Sequence, residues 1–306
     1  MAGRILALLG SAVVVVFGVC TLVFLLIHFI PGDPVEAMLG ESARPADRAE
    51  LRRALGLDLP IDVQYARYLA RLTSLDLGSS FQDGRPVIEI LGERLPATLR
   101  LAGAALGLAL LLAIPLGALA ARFRGSAVDA GAMGFSLIGV SIPNFWLGPL
   151  LILVFSLWLG WTPVSGDGSA RSLILPAVTL GTALAAILAR MVRASVLEVL
   201  GEDYVRTARA KGLSEPAVLA RHALRNALLP VLTLAGLQLG ALLGGAVITE
   251  TVFAWPGIGS LLVEAIHARD FPVVQGCVLL ISILYVLINT LTDLAYVWAD
   301  PRVRWD

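Results

Sequence analysis

The sequence predicts an all-α membrane protein with six transmembrane helices and both termini in the cytosol. Three observations carry that prediction. Hydrophobic residues make up 58% of the 306 positions and charged residues only 15%, against roughly 25% charged in a typical soluble domain. Six apolar stretches approach the length of about 20 residues that a helix needs to cross a bilayer core. Arginines crowd into alternate connections, the asymmetry that sets orientation in membranes. A water-soluble globule of this size cannot hide so much apolar surface, and intrinsic disorder needs the opposite composition. The charge balance, 23 basic against 23 acidic residues, gives no basic stripe and so no nucleic-acid partner.

The six stretches lie near Ile5–Ile30, Leu99–Ala121, Ala130–Leu159, Leu173–Met191, Ala227–Thr249 and Val273–Trp298. The first follows a lone Arg4 but runs past twenty residues without a small-x-small cleavage site, whereas a signal h-region spans about 7–15; it reads as a retained anchor. The third is long enough to tilt or to break at Pro143. The fourth carries Pro176 near its start, where a missing N–H costs little. With the N-terminus inside, Arg4, Arg122, Arg124, Arg190, Arg193, Arg206, Arg209, Lys211, Arg221, Arg225, Arg302 and Arg304 are cytosolic, while the short outer loops hold only Arg171 and Arg269. The outer segment Pro31–Arg94 is long enough to translocate largely regardless of its charge.

That outer segment opens on Pro31-Gly32-Asp33-Pro34, a turn that ends the first helix. Ile61, Tyr65, Tyr68, Leu69 and Leu72 then recur at helical spacing, predicting an amphipathic helix. It either packs on the spans and membrane surface, or caps the outer mouth as a docking surface. The inner segment Val192–Asn226 is polar and too long for a simple turn. Glu198–Ala210 has good helix formers, with acids early and bases late, and Gly212 is a natural C-terminal stop. Ser214 and Pro216 then favour a second short helix. This is either a basic loop held at anionic lipid or a helical knob that docks into a partner protein.

In the fifth stretch Gly236, Gly240 and Gly244 recur every fourth residue and permit close helix approach, within this chain or with a second membrane subunit. Asn144 and Gln238, polar within spans, either line a path or bond neighbouring backbone. Asp293 is the one carboxylate well inside a stretch, placed to snorkel or to bond a neighbouring helix. Trp255-Pro256-Gly257-Ile258-Gly259 precedes Ser260–Ile266, too short to span and predicted as an outer surface or re-entrant helix.

Catalytic and metal signatures are missing from the sequence. Lys211, the single lysine, is followed by Gly212, so no Gly-Lys-Ser/Thr phosphate loop exists. Ser136 follows Gly134-Phe135, but Ile138 occupies the place of the second glycine of a nucleophile elbow. His28, His222 and His267 are scattered, and Cys20 and Cys277 form no disulfide framework or metal spacing. Nearly uncharged spans weigh against an ion-driven carrier, which usually places several ionisable groups near the midplane. The residues alone therefore describe a polytopic subunit with no catalytic residues, no metal and no cofactor of its own, powered from outside.

The inner segment reads Glu202-Asp203-Tyr204-Val205-Arg206-Thr207-Ala208-Arg209-Ala210-Lys211-Gly212-Leu213, then His222-Ala223-Leu224-Arg225-Asn226-Ala227-Leu228-Leu229-Pro230. It resembles the coupling segment of ABC importer permeases of the dipeptide/oligopeptide/nickel branch, specifically the dipeptide permease B-type subunits. The resemblance covers nearly the whole chain, including Ile30–Pro34, Leu55-Gly56-Leu57-Asp58, Ser141–Trp146, Thr162–Gly166, Glu250–Phe253, Trp255–Gly259, Arg269–Gly276 and Asp300-Pro301-Arg302. Importers at large carry Glu-Ala-Ala where this chain has Arg206-Thr207-Ala208.

The resemblance implies a type I importer permease fold and three regions: 1–93 with the first span and outer segment, a core at 94–299 carrying a coupling loop at 192–226, and a cytosolic tail at 300–306. It implies ATPase coupling through Tyr204, Arg206, Thr207, Ala208, Ala210, Lys211, Gly212 and Leu213. It further implies a second, related permease subunit, two cytosolic ATPases holding ATP and Mg, an external solute-binding protein, and residence in the bacterial inner membrane. The cargo expected is a di- or oligopeptide, with nickel, glutathione or another small solute as the alternative; an ion-coupled carrier and an intramembrane enzyme are the competing classes.

Overall fold

The computed structural model describes residues 2–29, 35, 39, 44–54, 56–166 and 169–299, and among them helices are the only extended secondary structure. The turn expected at Pro31–Pro34 and the tail 300–306 lie outside the described residues. In chain order the helices are α1 (Ala2–Phe29), α2 (Pro45–Ala54), α3 (Ile61–Thr73), α4 (Val87–Arg122), α5 (Ala127–Ser141), α6 (Asn144–Leu151), α7 (Ile174–Leu200), α8 (Asp203–Ala210), α9 (Leu224–Val252), α10 (Ile258–His267) and α11 (Phe271–Ala299). A π-helical turn, Ile152–Trp158, extends α6. Another, Val218–Ala223, joins the single turn Glu215–Ala217 to α9. Among the described residues, four helical runs are long and apolar enough to cross a membrane, or five if the bent pair α5 and α6 is one span; α1 coincides with the first apolar stretch of the sequence.

Of the two alternatives for the third stretch, tilt or a break at Pro143, the break is present: α5 and the helix from Asn144 meet at 99°. Proline at 143 has no N–H to continue the ladder and disfavours helical geometry at Ile142, which takes φ −89° and ψ 117°. Asn144 therefore lies at the corner, half-buried, rather than in the middle of a straight span.

The chain divides into two compact units, Met1–Thr98 with Pro256–Val286 and Leu99–Trp255 with Leu287–Asp306. In the first, α3 uses its apolar face as the sequence pattern dictates. Tyr65, Tyr68, Leu69 and Leu72 pack around Cys20 and Phe24 of α1 and Leu279 of α11. The Tyr65 hydroxyl lies 2.6 Å from Thr21 Oγ1. The packing reading of this helix is thus the observed one. The short helix foreseen after Gly257 is α10, whose Ile258, Leu261 and Ala265 pack against Val87, Leu91, Val273 and Cys277. Its first turn has no side-chain cap of its own. Thr98 Oγ1 instead accepts from the Ile258 N–H at 2.8 Å, satisfying one donor that helix starts leave free.

In the second unit the core gathers around α7: Leu184, Leu188, Val192 and Val196 meet Ala109 and Ala113 of α4 and Ala227, Val231 and Ala235 of α9. Small residues let backbones approach. A Cβ on Gly117 would lie 2.5 Å from the Ala189 carbonyl oxygen and 2.6 Å from Val192 Cβ. The three glycines of α9 do not share one role. A Cβ on Gly236 would collide with the Thr292 side chain, Gly240 is buried, and a Cβ on Gly244 would meet nothing within 4 Å. Gln238 is half-buried, and Asp293 of α11 is exposed.

Candidate functional site

The helix expected across Glu198–Ala210 is two helices. α7 continues through Glu198 to Leu200, the chain breaks at Gly201, and α8 starts at Asp203. Gly201 and Glu202 donate their N–H groups back to the carbonyls of Glu198 and Val199, at 3.1 Å each, closing the end of α7. Glu202 is extended at φ −71° and ψ 149°, which redirects the chain into α8.

The eight residues of α8 are too few to hold a helix in isolation. The helix is held by a miniature apolar core in which fully buried Val205 and nearly buried Ala208 meet Val218, with Leu213, Val199 and Leu200 around them. Three polar contacts surround it. Asn226 Nδ2 donates to the Tyr204 hydroxyl at 2.7 Å. Thr207 Oγ1 donates to the Asp203 carbonyl at 3.0 Å. Arg209 Nε donates to Glu215 Oε1 at 2.7 Å. The result is a self-supporting knob, closed at its base by α7 on one side and by the Val218–Ala223 turn on the other.

Gly212 ends α8 by conformation. Its φ is +82°, its N–H donates to the Arg209 carbonyl at 2.9 Å, and the Leu213 N–H reaches the Ala208 carbonyl at 3.4 Å. This pair of bonds, with Leu213 folded onto Ala208 in the small core, is the glycine-terminated helix ending that satisfies orphan carbonyls. A Cβ at 212 would meet nothing within 4 Å. Within this chain, then, glycine is required for the sign of φ rather than for room.

The predicted coupling residues come together on this knob. Val205 and Ala208 face inward. Tyr204, Arg206, Thr207, Ala210, Lys211 and Gly212 are exposed, and Leu213 is half-buried. Arg206 pairs with Asp203 at 3.3 Å, but their side chains stay 75% and 94% exposed, so the pair contributes little to stability and leaves both charges available to a partner. The second short helix expected after Ser214 is not separate. Ser214 is extended at the start of Glu215–Ala217, its side chain makes no capping bond, and the π-helical turn carries the run directly into α9. One extra residue in the turn lets Val218 and Ala223 both be buried while Arg221 stays exposed.

The pathway candidates Asn144, Gly236, Gln238, Gly240 and Gly244 do not gather with the knob. Gly236 is consumed by packing on Thr292. Two groups escaped sequence reasoning: Val218, whose role depends on the π-helical turn, and a part-buried ion pair between Asp129 and Arg193. Asp129 sits three residues after Ser126, a capping pattern visible in sequence, but its partner 64 residues away is not.

Val205→Asp should abolish the knob, because an unpaired carboxylate cannot replace a side chain with no exposure. Limited proteolysis of membranes would show new cleavage between residues 200 and 215 while the chain stays membrane-inserted; unchanged protection would refute the miniature core.

Family models match almost the entire chain. Residues 113–305 match the binding-protein-dependent transport system inner membrane component, and residues 1–102 match the corresponding N-terminal membrane component. Among curated proteins, the chain is 48% identical to the di/tripeptide transport system permease protein DppB of Pseudomonas aeruginosa, with 97% of each chain covered. It is 44% identical to the dipeptide transport system permease protein DppB of Escherichia coli K12, with 98% of each covered. Among solved structures, an inward-facing MetNI methionine ABC transporter chain superposes with TM-score 0.59 at 21% identity, over 69% of this chain and 96% of that one, a likeness of fold.

Proposed function

This chain belongs to the family of binding-protein-dependent transport system inner membrane components, and from that premise we propose that it forms part of the path by which di- and oligopeptides enter a bacterial cell, driven by ATP hydrolysed elsewhere. Its closely similar relatives carry peptide permease names, which favours peptides over nickel, glutathione or another small solute. In this reading six spans cross the inner membrane with both termini in the cytosol. A related second permease completes the pathway, two cytosolic ATPases hold ATP and Mg, and an external binding protein delivers the solute. Residues 1–93 form the first span and the outer segment, 94–299 the translocating core, and 300–306 the tail.

The observation that carries the coupling part of the proposal is the knob: a short, internally braced helix with a fixed end at Gly212 and an exposed face of Tyr204, Arg206, Thr207, Ala210 and Lys211. A brace of this kind transmits displacement as a rigid body. When the ATPases close on ATP, the knob moves with them, and the permease pair switches between inward- and outward-facing arrangements. The chain supplies no phosphate-binding loop, so its own role is mechanical.

The proposal is tested in proteoliposomes holding both permeases and the ATPases, with the binding protein outside. Radiolabelled dipeptide should accumulate with ATP inside and should stop when ATP is withdrawn, whatever the ion gradients. Uptake that persists without ATP and collapses with the proton or sodium gradient would instead establish a secondary carrier. ATP-dependent uptake of nickel or glutathione with no peptide transport would keep the machine and change the cargo.

A further inference from the structure

We infer that Asp129 and Arg193 form a strut that ties the base of the coupling knob to the inner end of the third span, so that the two move as one body. The inference rests on the reading of the knob as the ATPase contact and deepens it by naming where the delivered motion goes.

Arg193 Nε donates to Asp129 Oδ1 at 2.6 Å and Nη2 donates to Oδ2 at 2.7 Å, a two-pronged pair across 64 residues of sequence. The Gly125 N–H adds a third bond to Oδ2 at 3.0 Å. The carboxylate is only 9% exposed and the arginine side chain 26%. Such planar, bidentate geometry fixes orientation as well as distance. The positions of the two residues give the pair a mechanical meaning. Arg193 lies about two turns before the end of α7, and α8 begins directly after the break at Gly201. Asp129 lies in the first turn of α5, behind the Ser126 cap, and α5 is the first half of the span that bends by 99° at Pro143.

The rest of the knob's base is held by apolar contacts. Val192 and Val196 share a core with Ala227 and Val231, and Val199 and Leu200 belong to the miniature core around Val205. Apolar contacts are non-directional. Among the described contacts from α7 to α5, the Asp129–Arg193 pair is the directional, charged one. A push on α8 therefore reaches α5 with its orientation fixed by this pair, while the close-packed apolar faces of α7 carry displacement without setting its direction. The two residues are positioning residues and touch neither solute nor nucleotide.

The test uses the complete importer in proteoliposomes, reading dipeptide uptake and ATP hydrolysis in the same vesicles. Asp129→Asn and Arg193→Gln should retain the ATPases on purification and continue to hydrolyse ATP. Dipeptide moved per ATP should fall about two- to thirtyfold, the span of coupling changes seen for such networks. The exchanged pair Asp129→Arg with Arg193→Asp should recover only part of that loss, because an arginine at 129 cannot accept the Gly125 N–H and sits at a helix N-terminus. Arg193→Lys, which keeps the charge and loses the fork, should give an intermediate ratio and guards against a single variant that does not fold. A wild-type ratio in both single variants and in Arg193→Lys would overturn the strut, as would an exchanged pair that inserts normally and couples no better than the single variants. If instead the unaltered permease transports dipeptide with no ATPase bound, the coupling reading itself fails, a result distinct from uncoupling within an intact complex.

Discussion

Gly212→Val is expected to reduce peptide uptake about five- to thirtyfold per membrane-inserted copy, since a left-handed conformation costs a residue with a Cβ roughly 1–2 kcal/mol. The native φ of +82° is what the closing bonds to Arg209 and Ala208 require. A β-branched residue pulls position 212 toward negative φ, opens both bonds, and releases Leu213 from the small core. Gly212→Asn is the informative comparison, because asparagine tolerates this region better than other residues; it should keep most of the uptake. Gly212→Asp, which also adds charge to the exposed face, should uncouple transport from hydrolysis. Uptake in vesicles, normalised to membrane level, gives the answer. Equal uptake by the valine, asparagine and native proteins would show that the helix ending does not matter.

Gly117→Leu should strongly destabilise the second unit. The new side chain would enter where the Ala189 carbonyl oxygen stands 2.5 Å from the first added carbon, and a helix backbone cannot rotate away as a side-chain tip can. Overpacking of this kind typically costs about 1–3 kcal/mol, with the upper end expected because the obstacle is backbone. Gly107→Ala, on the same helix with nothing within 4 Å, should be neutral or stabilising, since glycine inside a helix costs roughly 0.5–1 kcal/mol relative to alanine. Thermal unfolding in detergent, followed by loss of the monodisperse chromatographic peak, separates the two. Similar midpoints for Gly117→Leu and the native protein would contradict the close approach of α4 and α7.

The apolar helices were legible because a bilayer core requires a continuous run of apolar, internally hydrogen-bonded backbone; four among the described residues, or five with the bent pair, are long and apolar enough to cross one. Their ends were less so. Helix α4 begins at Val87, twelve residues before the apolar stretch at Leu99, because Val87, Ile90 and Leu91 find apolar partners on α10 and α11 that no local pattern announces. Similarly, Gly201 is a poor helix former, but residue type alone does not fix the break. It follows from burying Val205 and Ala208 on Val218, a contact that spans the turn. The glycine series in α9 shows a geometric limit. Residues eight apart on a helix differ by about 80° in direction, so Gly236 can face Thr292 while Gly244 faces open space. In the candidate site, Gly212 declared itself by residue type. The Asp129–Arg193 pair did not, because a long-range ion pair leaves no periodic trace.

The central claim is that force enters this chain through the exposed face of α8. A benzophenone photo-crosslinker placed at Thr207, which is exposed and points away from the small core, tests it in intact membranes of cells expressing the whole importer. The account predicts a covalent adduct to an ATPase subunit that strengthens when nucleotide is trapped, and no ATPase adduct from a crosslinker at Leu111, exposed within the apolar stretch of α4. Transport-competent membranes in which the position-207 probe captures lipid and no ATPase would contradict it.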